Sequence, residues 1–242
     1  MKKQNRSFQF KSFIRVGVYP LVIMVMILFF INSCKKDDDN TKPALTVIDI
    51  DGNLYHTVTI GTQIWMVENL KVTHYRNNDP IPNVNVDSLW IDLKTGSYCD
   101  YDKLAVNGIT YGRLYNWYAV KDSRNIAPSG WHIPTDAEWT ILITYLGGAS
   151  VAGGKLKETG LAHWADPNVG ATNETGFTAL PGGSRYIDGS FLNIGSNGYW
   201  WSSTTDDIAI AFYLGVHNSD IGVNIGSHDK TSGFSVRCVK DN

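Results

Sequence analysis

The sequence predicts an α+β domain built from short antiparallel strands, two to three helices and long loops. Three observations carry this expectation. Asp51-Gly52 lies between two β-rich runs, 46–50 and 54–60, which is a strong hairpin signal. Thr135 and Glu138 have the spacing of a capping box, ahead of Trp139, Leu142, Ile143 and Leu146 at i, i+3, i+4 and i+7. From residue 177 onward, short apolar runs alternate with glycine-rich turns.

Taken in order, the hairpin of 46–50 and 54–60 leads through Gly61-Thr62 into a third strand at 63–67. Residues 74–97 read as a loop excursion, because Pro80, Pro82 and several Asn and Asp residues break any period. A helix is expected over 112–122, with Leu114, Trp117 and Tyr118 on one face. Pro128-Ser129-Gly130 marks a turn, and 131–133 a short extended piece. The capped helix follows and is stopped by Gly147-Gly148, which suit left-handed backbone. One more short helix is expected over 151–159, then strands at 177–180, 199–203, 209–215 and 234–239. With no internal repeat and no linker after residue 45, residues 46–242 read as one domain. The 242-residue chain carries 8 Trp, 12 Tyr, 9 Phe and 23 Gly with only 18% charged residues, which argues for a packed, loop-rich domain and against a disordered stalk.

The first 33 residues are of a different kind. They hold five cations and no acid, and 16–31 is a nearly continuous apolar run with one proline, Pro20. A basic leader, an apolar core and small residues before a cut form a secretory signal. Cys34 directly after Ile31-Asn32-Ser33 resembles the bacterial lipobox, in which the thiol takes a diacylglycerol and becomes the new N-terminus. The expectation is therefore a lipoprotein signal over 1–33 with lipidation at Cys34, anchored to the outer membrane of the cell envelope and surface-exposed. An uncleaved anchor or a soluble secreted form is the alternative; the apolar run is shorter than the ~20 residues of a membrane span. Residues 34–45, beginning Cys34-Lys35-Lys36-Asp37-Asp38-Asp39, form an acidic tether similar to that of surface-displayed Bacteroidetes lipoproteins, and in any case a solvated linker. Beyond the leader, 16 Lys and Arg face 23 Asp and Glu, a net charge of −7. With no cationic cluster, nucleic acid is not an expected partner.

Chemical motifs are few. Cys99 and Cys238 are an even pair in an exported domain, so a disulfide is one reading and two buried thiols the other. The six His are scattered, so no metal centre is expected. Loops around Asp166-Pro167-Asn168, Asp206-Asp207 and Asn218-Ser219-Asp220 offer oxygens to a structural Ca²⁺, although solvated turns are the favoured reading. Gly153-Gly154-Lys155 looks like the end of a phosphate loop, but Leu156 stands where Ser or Thr must hold Mg²⁺. Around Ser196 the glycine spacing of a nucleophile elbow is missed by one place. Aromatic and amide residues concentrate in the C-terminal half. Trp164, Asn173, Glu174, Arg185 and Trp201 are the candidates for a sugar- or peptide-binding face, with core packing the favoured place for any single Trp.

Several segments, taken together, resemble one family. Asp51-Gly52-Asn53-Leu54-Tyr55 and Gly61-Thr62-Gln63-Ile64-Trp65-Met66-Val67-Glu68-Asn69-Leu70 open the series. Tyr111-Gly112-Arg113-Leu114-Tyr115-Asn116-Trp117 and Pro128-Ser129-Gly130-Trp131-His132-Ile133-Pro134-Thr135-Asp136-Ala137-Glu138-Trp139 follow. Gly153-Gly154-Lys155-Leu156-Lys157, the stretch 170–177, Leu180-Pro181-Gly182-Gly183, Gly198-Tyr199-Trp200-Trp201-Ser202-Ser203 and Ser235-Val236-Arg237-Cys238 complete it. In this order they resemble the Fibrobacter succinogenes major paralogous domain. The resemblance implies an exported or lipid-anchored protein with a C-type-lectin-like or formylglycine-generating-enzyme-like fold, an irregular domain with long loops. It implies little about activity. One departure stands out. Ala127 occupies a place where the family often has a cysteine, so a bridge from there to Cys238 is missing. With two cysteines left in the domain, nothing supports the copper chemistry of formylglycine-generating enzymes.

The functional expectation is a non-catalytic binding or adhesion module for a glycan or another envelope component. The alternatives are a carbohydrate- or peptide-active enzyme using Glu158, Asp166, Glu174 or Asp188, and a structural envelope component.

Overall fold

In the computed structural model, residues 46–241 are described; Cys34, the leader and the tether lie outside them. The hairpin forms as expected: β1 (Thr46–Ile48) pairs with β2 (Leu54–Ile60), which pairs with β3 (Gln63–Met66), all antiparallel. The turn between β1 and β2 is held by Asp49. Its carboxylate accepts from the backbone N–H of Asp51 and Asn53, the Asn53 amide and the Tyr55 hydroxyl, while Gly52 takes φ +82°.

Residues 67–97 are mostly irregular, which includes the loop excursion expected over 74–97, with a single helical turn α1 (Asp87–Trp90). Then β4 (Tyr98–Cys99), a 3-10 turn at 101–103 and α2 (Ala105–Tyr111) follow. The sequence does not announce α2, because its apolar residues Val106 and Ile109 face solvent and only Gly108 is buried.

The helix expected over 112–122 is not there. Gly112 ends α2 at φ +80°, in a place where a Cβ would overlap Asn69. Leu114–Tyr115 becomes strand β5, paired with β4 on one side and bridged to Phe234 on the other. Only Trp117–Val120 is helical (α3), N-capped by Asn116. Two partners for the Tyr115 backbone outweigh the local helical pattern.

After β6 (Trp131–His132), the capping box and apolar stripe give α4 (Asp136–Tyr145), with both reciprocal capping bonds formed. Gly147 and Gly148 end it at φ +97° and +100°, and α5 (Ala149–Leu156) follows. The strand expected over 177–180 does not form. Thr178 sits at φ +54° because Asn173 exchanges hydrogen bonds with it across a tight loop, and a lone bridge joins Lys157 to Ala179. Next come β7 (Ser184–Arg185), β8 (Phe191–Leu192), β9 (Asn197–Thr205), β10 (Ile210–His217), β11 (Asn224–Asp229) and β12 (Val239–Lys240). β11 was not expected; its residues are exposed or half-buried, so it lacks the alternating pattern.

The architecture is α+β and mostly β. Its main sheet has the order β1-β2-β3-β12-β6, with a second of order β11-β10-β9 and two strand pairs, β4-β5 and β7-β8. The segment 233–238 joins them. Gly233 bonds Arg185, Phe234 bonds Tyr115, Ser235 bonds Tyr199 and Trp201, Val236 accepts from Leu70 and Cys238 from Met66. The strand expected over 234–239 is thus extended chain whose partner changes almost residue by residue, and only its end is regular.

Three apolar clusters fill the interior. One packs α4 and α5 against β3, β9 and β10 around Trp65, Trp139, Phe177 and Trp200, with Trp65 and Trp139 rings 4.7 Å apart. The largest holds Ala127, Trp201, Phe234 and Cys238, and the third Trp90, Cys99 and Leu114. Cys99 and Cys238 are free, buried in different clusters. The disulfide reading is therefore corrected to two apolar thiols, each surrounded by its own packing. Ala127 and Cys238 do share a cluster, where a methyl and a thiol pack without a bond.

The last strand is clasped by His132. Its Nδ1 lies 2.6 Å from Asp241 and its Nε2 2.7 Å from Glu138, the carboxylate of the capping box. Only the imidazolium donates to both. Burial disfavours that cation, but the hydrogen bonds to Asp241 and Glu138 outweigh it, and the pKa is raised above the ordinary 6.5. A raised folded-state pKa contributes stability that is complete below the unfolded pKa and is lost as pH rises through the folded one. The urea midpoint is expected to fall as pH rises from about 6 through the raised value. In H132Q that slope is expected to disappear.

Candidate functional site

The five residues proposed from sequence as a binding face do not form one. Trp164 is buried and donates its indole N–H to Ala179 O at 3.0 Å. Trp201 is buried against Phe234 and donates to Tyr115 O at 2.8 Å. Arg185 is fully buried, Asn173 holds its own loop, and Glu174 is exposed and paired with Lys155 at 3.1 Å. Indoles committed to backbone carbonyls inside the domain have no face left for a ligand. The four carboxylates weighed for catalysis do not converge either. Glu158 is tied to His163, Glu174 and Asp188 line separate depressions, and Asp166 lines neither of those two.

What the fold does open is a groove of about 720 Å³ that the sequence did not mark. Its apolar surface comes from Ile91, Tyr118, Ile187, Ile208 and Ala209. Asp92, Asp188 and Asp229 supply carboxylates, with Lys94 and Thr231 beside them. These residues come from the end of α1, from α3, from the β7–β8 and β9–β10 turns and from the end of β11.

Buried cations hold the walls in place. Arg185 donates from Nη2 to Asp87 of α1 at 2.7 Å and from Nε to Gly189 O at 3.1 Å, with Trp90 and Phe191 rings 4.4 and 5.0 Å from its guanidinium carbon. It thereby fixes α1 to the turn that carries Ile187 and Asp188. Lys230 lies 4.6 Å from the Trp117 ring and donates to Asp207 O and Ile208 O at 2.6 and 3.1 Å. Asp207 closes the same turn by accepting from Ala209 and Ile210 N–H, bonds that lower its pKa. Ile208 is consequently presented on a rigid turn at 95% exposure.

Two of the three acidic wall residues use one carboxylate oxygen to close their own turn. Asp188 Oδ1 accepts from Ser190 N–H and Oγ, which lowers its pKa, and Asp229 Oδ1 accepts from Thr231 N–H and Oγ1. In both, Oδ2 takes no part in these bonds. Lys94 and Tyr118 also border a second depression of about 340 Å³, lined by Pro80, Pro82, Gly96, Asp122 and Arg124, which therefore adjoins the groove.

Among the described residues no three His, Cys, Asp or Glu come together in a way that could hold a metal ion. At two of the oxygen-rich loops considered for Ca²⁺, the backbone carbonyls of Val169, His217 and Asp220 accept from the ammonium of Lys157, at 2.8–2.9 Å. Among the described residues, too, no helix is long and apolar enough to cross a membrane.

The signals that point to the groove are weak ones. Ile208 directly follows Asp206-Asp207 at the head of the apolar run that becomes β10, and Ile187 precedes Asp188-Gly189. Each reads as an ordinary solvated turn until the fold sets them side by side. The segments that carry the family resemblance lie elsewhere: they supply Asn69, Trp200, Arg237 and Lys157 to the interior, and none of the groove residues belongs to them.

The sequence model of the Fibrobacter succinogenes major domain matches residues 58–240. No curated protein and no solved structure matches the chain.

Proposed function

The chain belongs to the Fibrobacter succinogenes major domain family, and from that premise we propose that it is a lipid-anchored envelope protein whose domain is a non-catalytic binding module. The groove carries this reading: it is large enough for a segment of a polymer, open, and walled by side chains whose geometry is fixed from behind. Its ligand class is a glycan or a protein of the envelope. The anchor is acylated Cys34, reached through the acidic tether, with the outer membrane as its place and the cell surface as its side; the basic leader and apolar run before Cys34 support this. The irregular, loop-rich arrangement of short strands accords with a C-type-lectin-like fold, which the family resemblance suggests.

Both parts are tested on the full chain in a bacterial host. Wild type takes up an alkyne-palmitate label and C34S does not. Wild type retains material from isolated outer-membrane polysaccharide or protein fractions, and the double variant Y118A/I208S does not. Labelling that survives in C34S removes the anchor. Retention that is equal in wild type and Y118A/I208S removes the module.

A further inference from the structure

We propose that the groove takes an extended, basic peptide segment of a partner protein, seating an aliphatic side chain against Ile91, Ile187, Ile208 and Tyr118 and its flanking Lys or Arg groups on Asp92, Asp188 and Asp229. This rests on the binding-module reading above and narrows its ligand.

Four observations favour peptide over glycan and cation over anion. First, sugars are held by exposed aromatic planes, and here Trp164, Trp200 and Trp201 are buried. The groove offers one tyrosine among three isoleucines, a surface that suits aliphatic side chains. Second, three carboxylates face one lysine, and the charge beyond the leader is net negative, so both the local and the long-range field attract cations. Third, the three carboxylates do not meet at a common metal site. They come from three different elements of the wall, so cations carried on one chain can meet them separately. Fourth, Ile208 is 95% exposed yet held by Lys230 and Asp207. An apolar anchor kept rigid in water loses little entropy when it is covered, which is how a hot spot is made. Beyond Lys94 and Tyr118 lies the adjoining Pro80 and Pro82 depression, which an extended segment leaving the groove on that side would meet.

The test uses the full chain in lipid nanodiscs and capped nonapeptides as probes: one of alternating Lys and Leu, one with Glu for Lys, one with Ala for Leu. Hexasaccharides of glucose, xylose and N-acetylglucosamine form the second arm. The Lys/Leu peptide is expected to bind, and the Glu and Ala peptides about tenfold or more weakly. D188N/D229N, which keeps the turn-forming acceptors, and I208S each weaken binding about tenfold. D102N/E174Q, which removes acid outside the groove, leaves it unchanged. Raising ionic strength from about 0.05 to about 0.5 M weakens it further.

Peptide binding that is indifferent to the groove variants overturns the proposal. So does saccharide binding that is lost in Y118A/I208S while no peptide binds; the binding-module reading then survives with a glycan as its ligand. If neither arm shows binding that depends on the groove, both this inference and the module reading fall.

Discussion

Replacing Lys157 with methionine is expected to cost about 3 kcal/mol or more of unfolding free energy, although length and volume are nearly kept. The side chain is completely buried, and its ammonium donates to Val169 O, His217 O and Asp220 O. Burial pulls its pKa down to about 8, so at neutral pH it remains largely protonated and has a donor for each carbonyl. Those carbonyls belong to two loops that have little regular structure to satisfy them. Methionine leaves the carbonyls of Val169 and Asp220 without a partner, and that of His217 with only a long bond from Asp220 N–H at 3.5 Å. The neighbouring glycines serve the same junction: a Cβ on Gly153 would overlap Gly222 O, and one on Gly154 would overlap Gly170 O. Gly154 instead donates to Ile221 O and accepts from Thr172 N–H. Helix α5 therefore clasps both loops by its own backbone, and Lys157 locks them from beneath. Urea unfolding is the check. A lowered midpoint at unchanged m marks lost stability, and on this scale the Tm falls by roughly 6–12 °C. A midpoint equal to wild type would mean that the loops are held by something other than the lysine.

The second large effect is expected at Asn69. Its Oδ1 accepts from Trp200 Nε1 at 2.7 Å and from Arg237 Nε and Nη2 at 3.0 and 2.7 Å, while its Nδ2 donates to Tyr111 O at 2.8 Å. Arg237 is fully buried among Phe177 and Trp200, and burial lowers its pKa to about 9. Its hydrogen-bond acceptors are Asn69 Oδ1 and Phe177 O, with no carboxylate bonded to it. N69L thus orphans part of a buried guanidinium and an indole N–H at once, and is expected to destabilise by about 3–5 kcal/mol. R237M alone removes the charge and leaves Asn69 bonded to Trp200, so its cost is smaller. The double variant N69L/R237M is expected to be more stable than N69L, with a coupling energy of about 1–3 kcal/mol in a double-mutant cycle. Additive single effects would show that the two side chains are not one network.

Both effects fall on residues that carry the family resemblance, and neither touches the groove. The segments quoted from sequence are therefore the scaffold: they place an amide, an ammonium and a guanidinium where irregular backbone needs hydrogen bonds that regular strands supply elsewhere. Such a domain, with many loops inside, depends on buried polar side chains to a degree that a regular sandwich does not.

The sequence by itself determined what short-range physics decides. Asp51-Gly52 set the first hairpin, Thr135 and Glu138 set the start of α4, and Gly147-Gly148 its end. Tertiary structure decided whatever depended on competition between distant partners. Local periodicity made 112–122 a helix, but Tyr115 found backbone partners on both sides and became a strand. Composition made Trp164, Arg185 and Trp201 candidates for a surface while favouring the core for any single Trp, and the fold gave each a carbonyl or carboxylate partner instead of a ligand face. The groove joins Ile91, Tyr118, Ile187, Ile208 and Asp229, residues scattered over some 140 positions of chain. No window of sequence contains such a set, because the contacts that assemble it are made by Arg185 and Lys230 only after the chain has folded around them.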